Sequence, residues 1–144
     1  MYKTITKEFN FDSSHRLINP NLTKTQNINI YGKCYNFPSH GHNYILQITV
    51  SGLESNGMIV NFSQLKEVVN KSIIEPFDHH FLNDLEFFKN KVTTIENIIT
   101  TIWNILEEEF KRLNTKKEFV ILEKIKLYET PTCWCELENI NYKI

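Results

Sequence analysis

Tyr44-Ile45-Leu46-Gln47-Ile48-Thr49-Val50-Ser51 alternates cleanly, with Tyr44, Leu46, Ile48 and Val50 on one parity and Gln47, Thr49 and Ser51 on the other. A period of two is what a strand with one buried face requires. Upstream, Ile5, Phe9 and Phe11 share a parity with polar residues between them, which predicts an earlier strand. The polar stretch from Asn19 to Asn29 reads as a loop, and Gly52 to Gly57 as a turn. Downstream the period changes. Phe62, Leu65, Val68, Val69 and Ile73 follow helical spacing, Asn61 with Gln64 resembles a capping box, and Pro76 is expected to stop the helix. A loop from Phe77 to Val92 leads to Thr93, which with Glu96 forms a second candidate capping box. Behind it Ile95, Ile98, Ile99, Ile102, Leu106, Phe110 and Leu113 trace an apolar stripe. Phe119, Ile121, Ile125 and Leu127 predict a third strand, Pro131 breaks it, and a short last strand runs through Trp134. The order strand-strand-helix-helix-strand-strand predicts an α+β fold, an antiparallel sheet covered on one face by the helices. The edges of so small a sheet need charge, cover or a partner subunit.

The chain of 144 residues and 17.1 kDa is expected to form one domain over 1–144. With 41% hydrophobic and 23% charged residues it has the composition of a folded globule. Its formal net charge of -1 argues against nucleic-acid binding, which draws on a basic excess. No apolar run approaches the roughly 20 residues a membrane-spanning helix needs. The start, Met1-Tyr2-Lys3-Thr4-Ile5-Thr6-Lys7-Glu8, has no apolar core of the secretory kind. Three cysteines cannot close a disulfide framework, and reduced thiols in the cytoplasm are the simplest expectation.

Five histidines carry much of the chemistry. His40 and His42 flank Gly41 just before the strand at Tyr44, so both rings can point to one face and reach one metal; Gly41 would allow a close backbone approach. His15, just beyond the first strand, can join them if the two strands pair. Three imidazoles and an open fourth position describe a catalytic zinc site; a surface His-x-His pair is the plain alternative. Cys34 is either an inert small residue, a base or nucleophile, or a fourth zinc ligand. Asp78 beside His79 can form a proton relay only in a loop conformation, and is otherwise a solvated pair. Glu129 follows Leu127 onto the apolar parity, where a ligand offering paired N–H donors would satisfy it, unless the strand has already ended. Cys133 and Cys135 read as packing residues.

Six segments in order resemble the 6-pyruvoyltetrahydropterin synthase family, which includes the queuosine-pathway 6-carboxytetrahydropterin synthases. They are Phe11-Asp12-Ser13-Ser14-His15-Arg16-Leu17, Gly32-Lys33-Cys34 through His40-Gly41-His42-Asn43-Tyr44, Gly57-Met58-Ile59-Val60-Asn61-Phe62, Asp78-His79-His80-Phe81-Leu82-Asn83, Thr94-Ile95-Glu96-Asn97 and Tyr128-Glu129-Thr130-Pro131-Thr132. The resemblance implies a tunnelling fold, a four-stranded antiparallel sheet with two helices on one face. It also implies trimers stacked into a homo-hexamer with active sites between subunits.

It implies that His15, His40 and His42 bind Zn2+, that Cys34 is the catalytic base, and that His79 paired with Asp78 is the second proton-transfer group. Glu129 would anchor the pterin ring, with Thr94 and Glu96 as weaker candidates in the same pocket. The implied substrate is 7,8-dihydroneopterin triphosphate, whose phosphates Arg16, Lys24 and Lys33 are placed to meet. The five residues between Cys34 and His40 resemble the pyruvoyl-forming enzymes, while Asp78-His79-His80-Phe81-Leu82-Asn83 looks more like the carboxy-forming branch; the reading leans to the former. Two other classes stand beside it. A non-catalytic zinc- or pterin-binding module would not need Cys34, and a zinc hydrolase would want a carboxylate base that residues 36–46 lack.

Overall fold

A computed structural model describes residues 1–114 and 119–140. Four antiparallel strands, β1 (Ile5–His15), β2 (His40–Gly52), β3 (Val120–Thr130) and β4 (Cys133–Glu138), lie in the order β1-β2-β3-β4. Helix α2 (Phe62–Val69) and the long α4 (Ile95–Leu113) pack on one face of the sheet. The expected α+β architecture is the one observed.

The register explains where the core sits. Phe9 pairs with Leu46 and Phe11 with Tyr44, while Leu46 pairs with Leu127 and Ile48 with Ile125. These inward rows meet the buried stripe Ile98, Ile99, Ile102, Leu106 and Phe110 of α4, and Leu65 and Val69 of α2. Each fully buried side chain of this kind contributes roughly 1.5–3 kcal/mol relative to exposure, so this layer holds the sheet to the helices. At one end of β1 and β2 the same inward face turns polar: Ser13 pairs with His42 and His15 with His40. Strand alternation therefore delivers the histidines to the end of the core rather than to the outer surface.

Several local expectations are corrected. The stretch read as a loop from Asn19 to Asn29 contains a helix, α1 (Lys24–Tyr31), closed by a capping box between Thr23 and Gln26. It escapes periodicity analysis because it has almost no apolar stripe; its one buried residue is Asn27. At α2 the cap is simpler than a box: Asn61 Oδ1 accepts from the Ser63 N–H at 2.8 Å.

Pro76 stands one residue before that helical stretch ends, as expected. The chain widens into one π turn over Asn70–Ile74 and continues as the short helical turn α3 (Glu75–Phe77). Pro76 lies at the start of that turn, where its missing N–H costs little. Residues beyond Phe77, read as plain loop, form two 3-10 turns at Leu82–Asp84 and Glu86–Phe88. The cap of α4 is Thr94, whose Oγ1 accepts from the Asn97 N–H, and not Thr93, which is buried.

In β3 the parity breaks. Thr49 pairs with Lys124 but Val50 with Leu122, so Glu123 is an extra residue that flips the inward set to Val120 and Leu122. Phe119 is consequently left half-exposed, and Ile121 is not among the fully buried core residues.

Candidate functional site

His15 and His40 face each other across β1 and β2, and His42 lies two residues further along β2 on the same side. The ring centroids of His15, His40 and His42 are 4.5, 5.1 and 5.0 Å apart pairwise, and one nitrogen from each lies within 4.8 Å of the others. Gly41 is not what permits this: an added Cβ there would meet only the Ser13 carbonyl oxygen, at an ordinary 3.5 Å.

His15 is oriented from behind. Its Nδ1 donates to the Thr93 carbonyl oxygen at 2.7 Å, a polarity that follows from the carbonyl being acceptor only, and this leaves Nε2 with a free lone pair. Thr93 is itself tied to the first strand's exit, its hydroxyl lying 3.3 Å from both the Arg16 carbonyl oxygen and Asn83 Oδ1. Burial, opposed by the Thr93 bond and aided by His40 and His42, lowers the His15 pKa to about 4. Burial likewise lowers that of His42, against the pull of Glu129. Both rings are thus neutral near pH 7, the form that binds metal.

His15 Nε2 and His42 Nε2 are buried with no hydrogen-bond partner. Buried nitrogens without partners are costly unless something fills the space between them, and three convergent imidazoles fit a zinc ion with one position left for a ligand. Glu129, at the inward end of β3, is half-buried with Oε1 3.7 Å from His42 Nε2. Tyr44 lies fully buried one residue pair deeper. Burial pushes its phenol pKa far up, and Glu129 adds to the effect.

Asp78 and His79 form the direct pair the sequence allowed only for a loop. His79 takes a left-handed φ of 59°, unusual for a residue with a side chain, and its Nδ1 donates to Asp78 Oδ2 at 2.9 Å. The turn is clamped to β1: the His79 N–H donates to the Asp12 carbonyl oxygen, and the Asp12 N–H donates to Asp78 Oδ1 at 2.8 Å. Asn43 Nδ2 in turn donates to Asp12 Oδ1 at 2.7 Å. The Asp12 N–H bond is the main reason Asp78 is held below the usual carboxylate range. A cleft of about 440 Å³ lies between these groups, lined by Asp12, Ser13, His42, Asn43 and His79 among others. Of the histidine cluster only His42 lines this cleft, and of the Asp78–His79 pair only His79.

A family model described as 6-pyruvoyl tetrahydropterin synthase matches residues 4–139. The chain belongs to this family. The 6-pyruvoyl tetrahydrobiopterin synthase of Drosophila melanogaster is 38% identical over 130 residues, covering 88% of this chain and 74% of that protein. The 6-carboxy-5,6,7,8-tetrahydropterin synthase of Haemophilus influenzae is 34% identical over an alignment of 156, covering 96% of this chain and all of that one (100%). The solved structure of the 6-pyruvoyl tetrahydropterin synthase of Caenorhabditis elegans superposes with a TM-score of 0.86 at 27% identity, covering 96% of each chain.

Against that family frame, the structure brings together His15, His40, His42 and Glu129 in one cluster, and Asp78 with His79 in another. Cys34, Thr94 and Glu96 do not line the cleft beside His42 and His79. Cys34 sits half-buried in the 3-10 turn Gly32–Tyr35, its carbonyl oxygen accepting from the Leu17 N–H at 2.9 Å. Thr94 is occupied as the α4 cap, and the charge of Glu96 in the first turn of α4 bears on Cys135 of β4. Arg16 stacks over Tyr35, 4.2 Å from the ring centroid, with Nε donating to the Tyr35 carbonyl oxygen. Lys24 and Lys33 are exposed at the start of α1 and in the turn after it. Among the described residues, Cys133 and Cys135 join no metal-holding cluster. Sequence reasoning missed Asp12, Asn43, Asn83, Thr93 and Tyr44. Asp12, Asn43, Tyr44 and Asn83 lie within the segments quoted above, but only contacts between distant parts of the chain reveal their roles.

Proposed function

We propose that this pterin synthase converts 7,8-dihydroneopterin triphosphate to 6-pyruvoyltetrahydropterin, with Zn2+ held by His15, His40 and His42, acting as one domain of a cytoplasmic homo-hexamer whose sites lie between subunits. The observation that carries the reading is the convergence of three imidazoles, one of them beside Glu129. Zinc would supply Lewis acidity toward an oxygen of the substrate side chain.

The remaining work falls to the chain. Glu129 accepts the paired N–H groups of the pterin edge, a bidentate arrangement that fixes the ring's orientation. Cys34, as thiolate, removes a carbon-bound proton from the side chain. Asp78 holds the Nδ1–H of His79, which leaves His79 Nε2 to pass a proton at a second side-chain position. Each such transfer contributes on the order of 10²- to 10⁴-fold. The triphosphate departs as the leaving group, so the overall change is an internal redistribution of hydrogen plus elimination and needs no external oxidant or reductant. Arg16, Lys24 and Lys33 offer the positive charge for it, with Thr94 and Glu96 as weaker candidates for the pterin pocket.

A second reading, the 6-carboxy product with release of acetaldehyde, is favoured by the Haemophilus influenzae relative, which is matched along its whole length. Incubating zinc-loaded protein with 7,8-dihydroneopterin triphosphate and identifying products by mass spectrometry decides between them. A 6-pyruvoyl product with triphosphate supports the proposal, and a 6-carboxy product with acetaldehyde replaces it. Absence of turnover, or full turnover by Cys34→Ala, refutes the catalytic assignment.

A further inference from the structure

Among the described residues, three buried side-chain nitrogen or oxygen atoms lack a partner: His15 Nε2, His42 Nε2 and Tyr44 Oη. A metal accounts for the two nitrogens. It does not account for the phenol, a hydrogen-bond donor and a poor metal ligand while protonated.

The surroundings of Tyr44 locate that unused donor. Its ring stacks on Phe11 at 4.9 Å and meets the ring of His42 at 5.5 Å and that of His15 at 6.2 Å. On the other side, β2 pairs Ile45 with Tyr128, the residue before Glu129, whose charge bears on the Tyr44 phenol. The phenol therefore lies at the same end of the core as the histidines and Glu129. A Phe here would keep every ring contact and avoid burying a lone hydroxyl, an arrangement that is costly by itself. A site that carries such a group unsatisfied is built to satisfy it with something that arrives.

We propose that Tyr44 Oη donates a hydrogen bond to an oxygen on the C6 side chain of the bound dihydropterin, making it a substrate-binding residue beside the histidine cluster. This rests on the pterin reading above. Glu129 reads the ring edge; Tyr44 reads the oxygenated side chain, and so separates substrate from pterins that lack one.

The test compares the zinc-loaded wild type with Tyr44→Phe on two probes. One is 7,8-dihydroneopterin, which carries the side-chain oxygens. The other is 6-methyl-7,8-dihydropterin, which has the ring alone. Tyr44→Phe is expected to weaken the first about five- to tenfold and to leave the second within about twofold, the effect of one neutral hydrogen bond. Zinc content should be unchanged and the melting temperature of the unliganded protein equal or higher, because an unsatisfied hydroxyl has been removed. Equal affinity for 7,8-dihydroneopterin, or an equal loss on both probes, overturns the proposal. So does a lowered melting temperature, which would mean that the hydroxyl already bonds an enclosed water. Failure of the wild type to bind either probe is a different result: it removes the pterin reading itself, and this inference with it.

Discussion

Asn27→Ala is expected to melt one helix without unfolding the protein. Asn27 is 2% exposed and the one buried residue of α1, whose apolar members Ile28 and Ile30 point to solvent. Its side chain is fully engaged: Oδ1 accepts from the Asn19 N–H at 2.8 Å, and the two N–H groups of Nδ2 are shared among the carbonyl oxygens of Asn19, Leu22 and Thr23 at 3.1, 3.3 and 3.0 Å. At a net ~0.5–1.5 kcal/mol per hydrogen bond, and less than additive because they share one amide, these contacts contribute about 2–4 kcal/mol. An eight-residue helix has almost no stability of its own, so this exceeds what else holds α1.

The loss should stay local, since the apolar core contains no residue between Phe11 and Tyr44. Hydrogen exchange of the amides in 24–31 should accelerate by about 30- to 1,000-fold, the equivalent of 2–4 kcal/mol. The urea midpoint should move by less than about 0.5 kcal/mol. Labelling of the Cys34 thiol should also quicken, because the turn carrying it is joined to α1 by the Gly32 N–H bond to the Ile28 carbonyl oxygen. Unchanged exchange in 24–31 would refute the reasoning, and so would a global destabilisation of the full 2–4 kcal/mol, which would make α1 part of the cooperative core.

Phe77 is fully buried, with ring centroids of Phe11 and Phe88 each at 5.7 Å, and Phe77→Ala should cost about 3–5 kcal/mol in urea unfolding; a loss under 1 kcal/mol would show that the site collapses around the deletion. Thr93→Val keeps the carbonyl that orients His15 but removes the buried hydroxyl, and should weaken zinc binding about tenfold in a chelator competition, against no change if Thr93 does not position the ligand. Asp78 gives an acid dependence of known sign. Its carboxyl is held low in the folded protein, so its contribution is complete above the unfolded pKa near ~3.9 and is lost as pH falls through the folded value. Asp78→Asn should flatten the stability profile below about pH 4, whereas a profile parallel to wild type would show that Asp78 is not the group responsible.

Much of the fold was legible because its strongest elements carry their own period. Tyr44 to Val50 and the Ile95–Leu113 stripe each bury one face in the structure as their alternation requires. Legibility failed where stability comes from polar bonding or from irregularity. Helix α1 hangs on one asparagine rather than on an apolar stripe, and the bulge at Glu123 reverses the parity of β3 with no residue in the sequence that demands it. Thr93 and Thr94, adjacent and chemically alike, divide between orienting His15 and capping α4, a choice set by segments far away in the chain.

The sequence by itself determined the family and the inventory of groups, because ligand type and spacing within a motif, such as His40-Gly41-His42, are local properties. The tertiary structure alone decided how those groups are held. His15 becomes a partner of His40 only through the β1–β2 register, and its free nitrogen is chosen by a carbonyl 78 positions away. Asp78 faces His79 only because a left-handed turn is clamped against Asp12, 66 positions earlier. Tyr44 is left without a partner only because strand pairing buries it against Phe11. The physical reason is common to all three: desolvation and hydrogen-bond geometry depend on which distant backbone closes over a side chain, and no local pattern encodes that.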